Sequence, residues 1–321
     1  MKAIVRERYG RPDVLEVREI DPPAIEDGQV LVRVKATSLN ASEWYDVTGS
    51  VFARPSSGLR KPKRRQIAGD LAGTVEAVGK GVTAFQPGDD VFGTALGAWA
   101  EQAAAREARL ARKPAEVSFE QAGAVPVAGL TALQALRDKG NVQPGQSVLI
   151  NGASGGVGTY AVQLAKWLGA EVTAVCSTRN VEQAHALGAD RVVDYTQEDF
   201  THRSERHDVM LDIAGSRSFS EMRRVLTPKA TIVLVGGRMT YRGLGPTPHL
   251  ARTILAGIGR SQKLAFFVAK ITADDLALLA QLLESGDVRS VIDRTYELSQ
   301  IVEALTYFGE GHARAKVVIS V

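Results

Sequence analysis

The sequence predicts an α/β fold, with a β-rich domain followed by a doubly wound parallel sheet. Three observations carry that expectation. Over roughly the first hundred residues, short runs alternate apolar and charged side chains between turns. Beyond Ser118, strand-length apolar runs alternate with helical patterns, the signature of a parallel sheet covered on both faces. At 147–170 a strand, a glycine-dense turn and an amphipathic helix follow one another.

Taken in order, Met1-Lys2-Ala3-Ile4-Val5 reads as a strand. Leu15-Glu16-Val17-Arg18-Glu19 alternates, as does Leu31-Val32-Arg33-Val34-Lys35 after its first step. Asp27-Gly28 and Gln86-Pro87-Gly88-Asp89 are turns, with proline setting φ and glycine taking positive φ. Residues 71–78 and 90–93 add strands. Ser118-Phe119-Glu120-Gln121 is a capping box that opens a helix. Strands are then expected at 148–151, 172–176, 191–195, 209–213 and 231–235, with helices between. After Phe266-Phe267-Val268 come a helix (274–283), a strand (291–296), a helix (301–308) and a last strand (316–319).

A length of 321 residues suits two domains, and 45% apolar with 23% charged residues suits a soluble globular protein. The net charge of +3 implies neither a nucleic-acid nor a membrane partner. Cys176 is the single cysteine, so no intramolecular disulfide forms, which fits a reducing compartment. With no long apolar segment and no signal-peptide layout, the expected location is the cytoplasm. One segment stands out for charge, Arg60-Lys61-Pro62-Lys63-Arg64-Arg65; without interleaved aromatics it reads as a solvated loop.

The glycine turn carries the first chemistry. Val157, Ala161, Leu164, Ala165 and Leu168 line one helix face, with Gly169 as a stop. A pyrophosphate sits against the first turn of such a helix, where unpaired N–H groups and the helix dipole favour negative charge. Ser154, Gly155, Gly156, Val157 and Gly158 therefore form the candidate cradle. Gly155 takes the close-contact position, Gly158 allows helix–strand packing, and Ala153 replaces the first glycine of the fingerprint. The same stretch spells G-x-S-x-G, the nucleophile elbow of hydrolases, with Asp212 and His249 or His312 as nominal partners of Ser154. That reading leaves Val157-Gly158 unexplained.

At the end of the second parallel strand, Ser177-Thr178-Arg179 offers hydroxyls and a guanidinium where an NAD site places a carboxylate. Those groups bind a 2′-phosphate, so the expected cofactor is NADPH.

Together, Ala36-Thr37-Ser38-Leu39-Asn40, Gly69-Asp70-Leu71-Ala72-Gly73, Ala128-Gly129-Leu130-Thr131-Ala132-Leu133, Ala153 to Gly158, Asp194-Tyr195 and Gly311 to Ile319 resemble the medium-chain dehydrogenase/reductases, in particular their zinc-independent quinone oxidoreductases. The resemblance covers essentially the whole chain. It implies a GroES-like catalytic domain (1–118 and 269–321), a Rossmann domain (119–268) and a homodimer joined through the sixth strand of the parallel sheet. On the positions that hold zinc in the alcohol-dehydrogenase branch this chain has Asn40, Asp70 and Val127, which argues against a metal. The five histidines show no ligand spacing and are expected at the surface.

Hydride transfer from NADPH to a quinone or an α,β-unsaturated carbonyl is the reaction so implied, in an apolar pocket with a donor near the developing oxyanion. By resemblance Asn40 contacts the nicotinamide or substrate oxygen and Tyr45 is the hydrogen-bond or proton donor. Thr131, Tyr195, Gly236, Phe266, Phe267 and Val268 join the cofactor contacts. Ala41-Ser42-Glu43 departs from the family's usual Phe-Ile-Asp, which leaves the pocket's shape open. Two other readings remain, a metal-free NADP-dependent alcohol or carbonyl dehydrogenase and a non-catalytic NADPH-binding protein.

Overall fold

A computed structural model describes residues 1–51, 53–237 and 244–321. Their backbone divides into two compact units, Met1–Leu130 with Lys270–Val321, and 131–237 with Leu244–Ala269.

The first unit opens with an antiparallel pair, β1 (Lys2–Val5) and β2 (Glu16–Glu19). β3 (Gln29–Ser38) buries Val30, Val32, Val34 and Ala36, the period-two pattern of a half-buried strand. α1 (Ala41–Thr48) begins where the Glu43 carboxylate accepts from the Asn40 amide. It ends at Gly49, whose φ of +68° suits glycine. α2 (Arg54–Ser57), β4 (Ala68–Val78), β5 (Asp90–Leu96), β6 (Gln102–Arg106) and β7 (Leu110–Arg112) follow.

α3 (Phe119–Gly123) starts with the expected capping box, Gln121 N donating to Ser118 Oγ and Ser118 N to Gln121 Oε1. The sequence reading starts the second domain here, whereas the structure keeps 119–130 in the first unit. The reason is packing. A β-carbon on Gly123 would lie 3.1 Å from the Ala36 carbonyl of β3, and the Val127 amide in α4 (Pro126–Gln134) donates to Asp70 of β4. A cap marks where a helix starts, not what the helix covers.

The second unit contains, in order, β8 (Ser147–Asn151), α5 (Gly156–Trp167), β9 (Glu171–Cys176), α6 (Val181–Ala186), β10 (Arg191–Asp194), β11 (His207–Asp212), α7 (Phe219–Met222), β12 (Leu226–Leu234), α8 (Thr247–Gly257) and β13 (Lys263–Phe266). The strands form one parallel sheet in the order β10-β9-β8-β11-β12-β13. Their register lines up the carboxyl ends: Asp194 opposite Cys176, Val175 opposite Asn151, Asn151 opposite Asp212, Asp212 opposite Leu234 and Leu234 opposite Phe266. The strand order reverses beside β8, the place where such sheets bind ligands. Leu149, Val175, Phe200, Met210 and Ile232 fill a core against one face.

The chain then returns to the first unit as α9 (Ala273–Ser285), β14 (Ile292–Glu297), α10 (Ile301–Gly309) and β15 (Lys316–Ser320). The larger sheet runs β14-β15-β3-β4-β5-β7, with β6 also paired to β3. β15 lies antiparallel to β3 with Val318 opposite Ser38, and the Leu39 amide donates to the Val317 carbonyl at 2.9 Å. That register brings Lys316 beside Leu39 and Asn40.

Candidate functional site

In the second unit, the turn after β8 has the form its glycines demand. Gly152 takes φ +97°. A β-carbon on Gly158 would stand 2.2 Å from the Gly152 carbonyl and 2.7 Å from Ala153, so no larger residue fits without moving backbone. Gly155 differs. Its missing β-carbon would meet only the Gly152 carbonyl, at 3.7 Å, and otherwise faces open space. The Thr159 amide is the one that reaches the Gly155 carbonyl. The amides of Gly156, Val157 and Gly158 therefore precede the first intrahelical bond and point out of α5. Open space above three amides at a helix N-terminus fits a pyrophosphate.

At the next strand end, Ser177 caps a short turn and its Oγ accepts from Asn180 Nδ2 at 3.1 Å. Thr178 is placed differently from expectation. Its hydroxyl donates to Asp194 Oδ2 at 2.5 Å and lies 2.9 Å from Thr196 Oγ1, so a carboxylate from β10 stands beside it. That hydrogen bond, with others from Thr196, lowers the Asp194 pKa. Arg179 is exposed, and so is Tyr195, whose amide donates to the Cys176 carbonyl. Gly236 follows β12, Phe266 ends β13, and Phe267 and Val268 follow it. Thr131, half-buried in α4, is the first residue of this unit.

Between these strand ends lies a cluster the sequence left unassigned to the cofactor reading. Asp212, fully buried, accepts from Asn151 Nδ2 (2.8 Å), the Gly215 amide (3.1 Å) and His249 Nε2 (2.7 Å). The pair ties α8 to β11. It also unites two of the three groups of the hydrolase reading, but no hydrogen bond joins Ser154 to His249, so the relay is incomplete. Two histidines thus depart from their expected surface positions. His249 is held by Asp212, and His207 is buried against Ser147 Oγ at 2.8 Å with its pKa pushed down to about 4 by burial.

In the first unit, Asn40 belongs to a buried polar cluster. Asp70 accepts at Oδ2 from Ser38 Oγ (2.7 Å) and Asn40 Nδ2 (2.9 Å), and at Oδ1 from the Val127 amide (2.9 Å). Lys316 Nζ donates to the Leu39 carbonyl (3.1 Å) and Asn40 Oδ1 (2.5 Å), and stands 3.5 Å from Asp70 Oδ2. The three hydrogens of an ammonium are thereby used. Asn40, Asp70 and Val127 do converge, but on a carboxylate already bonded on both oxygens with a cation beside it. No thiolate or imidazole is among them, so these residues do not fit a zinc ion.

Glu43 completes the cluster. Its oxygens accept from the Asn40 amide (2.5 Å) and Ser42 Oγ (2.9 Å). Burial, and then the charge of Asp70, push its pKa up to about 7 against the opposing pull of Lys316. Burial lowers the Lys316 pKa, opposed by Asp70 and Glu43. Tyr45 is 5% exposed, and burial pushes its hydroxyl up to about 12. It is thus a hydrogen-bond donor at neutral pH and a poor source of a free proton. The signal for Asp70 and Lys316 was present, since each is a charge within an apolar run, but only pairing across β4, β3 and β15 shows that they meet. A separate groove of about 540 Å³ on β7 and α9, lined by Phe85, Glu107, Arg112 and Asp274, contains none of these residues.

A parallel sheet with this glycine turn in one unit, and in the other a β-rich sheet that takes in β15 from the end of the chain, define a medium-chain dehydrogenase/reductase. Family models agree: "Alcohol dehydrogenase GroES-like domain" matches residues 26–168 and "Zinc-binding dehydrogenase" matches 187–319. The chain belongs to this family, in its zinc-independent, quinone oxidoreductase-like branch. It is 34% identical to a chloroplast envelope quinone oxidoreductase homolog of Arabidopsis thaliana, over 95% of this chain and 93% of that one. It is 30% identical to an NADPH-dependent alkenal/one oxidoreductase of the same plant, covering 99% of this chain and 79% of the relative. Among solved structures, a quinone oxidoreductase of Coxiella burnetii superposes with a TM-score of 0.88 at 31% identity, covering 100% of this chain and 99% of that one. An Escherichia coli quinone oxidoreductase complexed with NADPH gives 0.84 at 25% identity, covering both chains fully.

Proposed function

We propose that the chain is an NADPH-dependent oxidoreductase that reduces quinones or α,β-unsaturated carbonyls without a metal. The observation that carries this reading is the saturation of Asp70. Its oxygens are committed to Ser38, Asn40 and Val127, with Lys316 alongside, so the positions that would hold zinc hold an internal ion pair instead. Without a Lewis acid, hydride acceptance requires a substrate already electron-poor, in which charge arriving at carbon is delocalised onto oxygen. NADPH supplies the hydride. The amides of Gly156, Val157 and Gly158 bind its pyrophosphate, and Arg179 with the Ser177 hydroxyl meets the 2′-phosphate. Gly236, Phe266, Phe267 and Val268 border the nicotinamide, with Thr131 and Tyr195 as further cofactor contacts. Asn40 offers its remaining amide hydrogen, and Tyr45 its hydroxyl, to the substrate oxygen.

The names of relatives span quinone and alkenal/one oxidoreductases, which supports the substrate class and leaves the choice within it to experiment. NADPH oxidation by the purified chain, followed with 1,4-benzoquinone, 9,10-phenanthrenequinone, an enone, an aldehyde and a simple alcohol, tests it. Turnover of the first three with no alcohol oxidation is the expected result. Turnover of alcohols, or zinc required in stoichiometric amount, overturns it, and NADPH binding without turnover returns a binding protein.

Two further proposals accompany the activity. β13 is the edge of its sheet, and Ile258 and Val268 near it are more than two-thirds exposed, which supports a homodimer through that edge, measurable by light scattering. A cytoplasmic location rests on the free, buried Cys176. No helix among the described residues is long and apolar enough to cross a membrane, and fractionation of cells decides the compartment.

A further inference from the structure

The basic segment that composition leaves as a solvated loop is held in a fixed shape. Gly58 takes φ +124°, and a β-carbon there would stand 2.2 Å from the Lys61 carbonyl. The Lys63 amide donates to Ser57 and the Arg6 amide to Arg65, while Tyr9 Oη donates to the Gly58 carbonyl. Arg54 ties this turn to the end of α1, with Nε donating to the Gly49 carbonyl (2.8 Å) and Nη1 to the Leu59 carbonyl (3.2 Å).

What this frame displays is amphipathic. Leu59 is 73% exposed and Val51, two residues from Gly49, is 51% exposed. Arg60, Lys61, Lys63, Arg64 and Arg65 are all exposed. Arg65 has Glu7 at 3.4 Å, and among the described residues no carboxylate lies within ion-pair distance of the other four. The whole chain carries a net +3, and this segment alone carries +5.

From these observations we propose that residues 59–65, together with Val51, dock onto an anionic lipid surface. Cations close to such a surface gain from its negative potential, and apolar side chains beside them enter the interface. A nucleic acid fits less well. Residues 58–65 include no aromatic side chain on which a base stacks, whereas Leu59 and Val51 match acyl chains. The surface adjoins α1, which carries Tyr45, so docking would bring that helix towards lipid-dissolved quinones. That advantage rests on the proposed activity, but the docking itself does not.

Sedimentation of the full chain with vesicles of phosphatidylcholine, alone or mixed with phosphatidylglycerol, tests the proposal. Binding is expected to the mixed vesicles alone and to weaken as salt is raised. Arg60→Gln, Lys61→Gln and Lys63→Gln together should weaken it on the order of a hundredfold, at about fivefold per cation lost. Leu59→Ser should weaken it roughly tenfold with the charge unchanged. Turnover of water-soluble 1,4-benzoquinone and the melting temperature should stay at parental values, which separates lost docking from lost folding and from failure of the reductase reading. If the triple variant unfolds, the Leu59→Ser variant and the salt dependence decide. Equal binding to phosphatidylcholine alone, binding unchanged in the variants, or binding to single-stranded RNA but to no vesicle would each overturn the proposal.

Discussion

Lys316 Nζ lies 2.5 Å from Asn40 Oδ1, although 276 positions separate the two residues. The amide of Asn40 is thereby oriented, its oxygen towards the cation and its nitrogen towards Asp70. Replacing Lys316 by Met leaves Asp70 buried and unpaired. We expect a loss of about 3–5 kcal/mol in urea denaturation and a fall in kcat as the Asn40 amide loses its fixed direction. Adding Asp70→Asn to Lys316→Met should restore part of that stability. Strictly additive effects in the double-mutant cycle would show that the two do not act as a pair.

The buried Glu43 predicts a pH dependence of stability. Its folded pKa of about 7 exceeds its ordinary value of 4.5. Between those values the folded chain keeps a proton that the unfolded chain has released. Stability therefore falls as pH rises from 4.5 to about 7 and stays lower above, by about 3 kcal/mol. His207 acts oppositely, since its pKa is lowered from 6.5 to about 4, and its contribution is lost as pH falls through that range. Thermal melts of Glu43→Gln and the parent across this interval should diverge; parallel profiles would refute the assignment.

Two glycines in one turn should respond differently. Gly158→Ala must displace backbone, because the nearest atom to the new carbon is a carbonyl at 2.2 Å, so both stability and NADPH affinity should drop. Gly155→Ala has room within the protein and intrudes on the cradle instead. It should raise the NADPH Kd roughly tenfold with little change in melting temperature. Calorimetry alongside thermal melts separates the cases.

If the proposed cofactor site is right, the choice between NADPH and NADH follows the balance between Arg179 and Asp194. Arg179→Ala should raise the KM for NADPH and leave that for NADH little changed. Asp194→Asn removes the carboxylate bonded to Thr178 and should sharpen the preference for NADPH. A parental NADPH KM in Arg179→Ala would remove the arginine from the site.

For Tyr45 the expected result is a parallel fall. If its hydroxyl bonds the oxyanion only as charge develops, Tyr45→Phe lowers kcat and kcat/KM equally, roughly a hundredfold. With the hydroxyl pushed up to about 12, no ionisation of Tyr45 should appear in the pH profile near neutrality. Unchanged kcat would make Tyr45 a wall of the pocket.

The sequence by itself determined the strand and helix runs and the glycine turn, because each is a local pattern, while the family resemblance supplied the positions compared for zinc. Apolar periodicity and a φ that only glycine adopts cheaply do not depend on distant neighbours, whereas the convergence of Asn40, Asp70 and Val127 does. β6, an alanine run with weak strand propensity, was not legible in the sequence, since it is a strand only by virtue of β3 beside it. Tertiary structure alone decided that α3 belongs with the first unit, that Asp194 reaches Thr178, that Asp212 holds His249, and that Lys316 closes the cluster around Asn40. These are pairings between charges and amides far apart in the chain, and burial gives them their strength. Periodicity reports which face of an element is covered, not which residue from another element covers it.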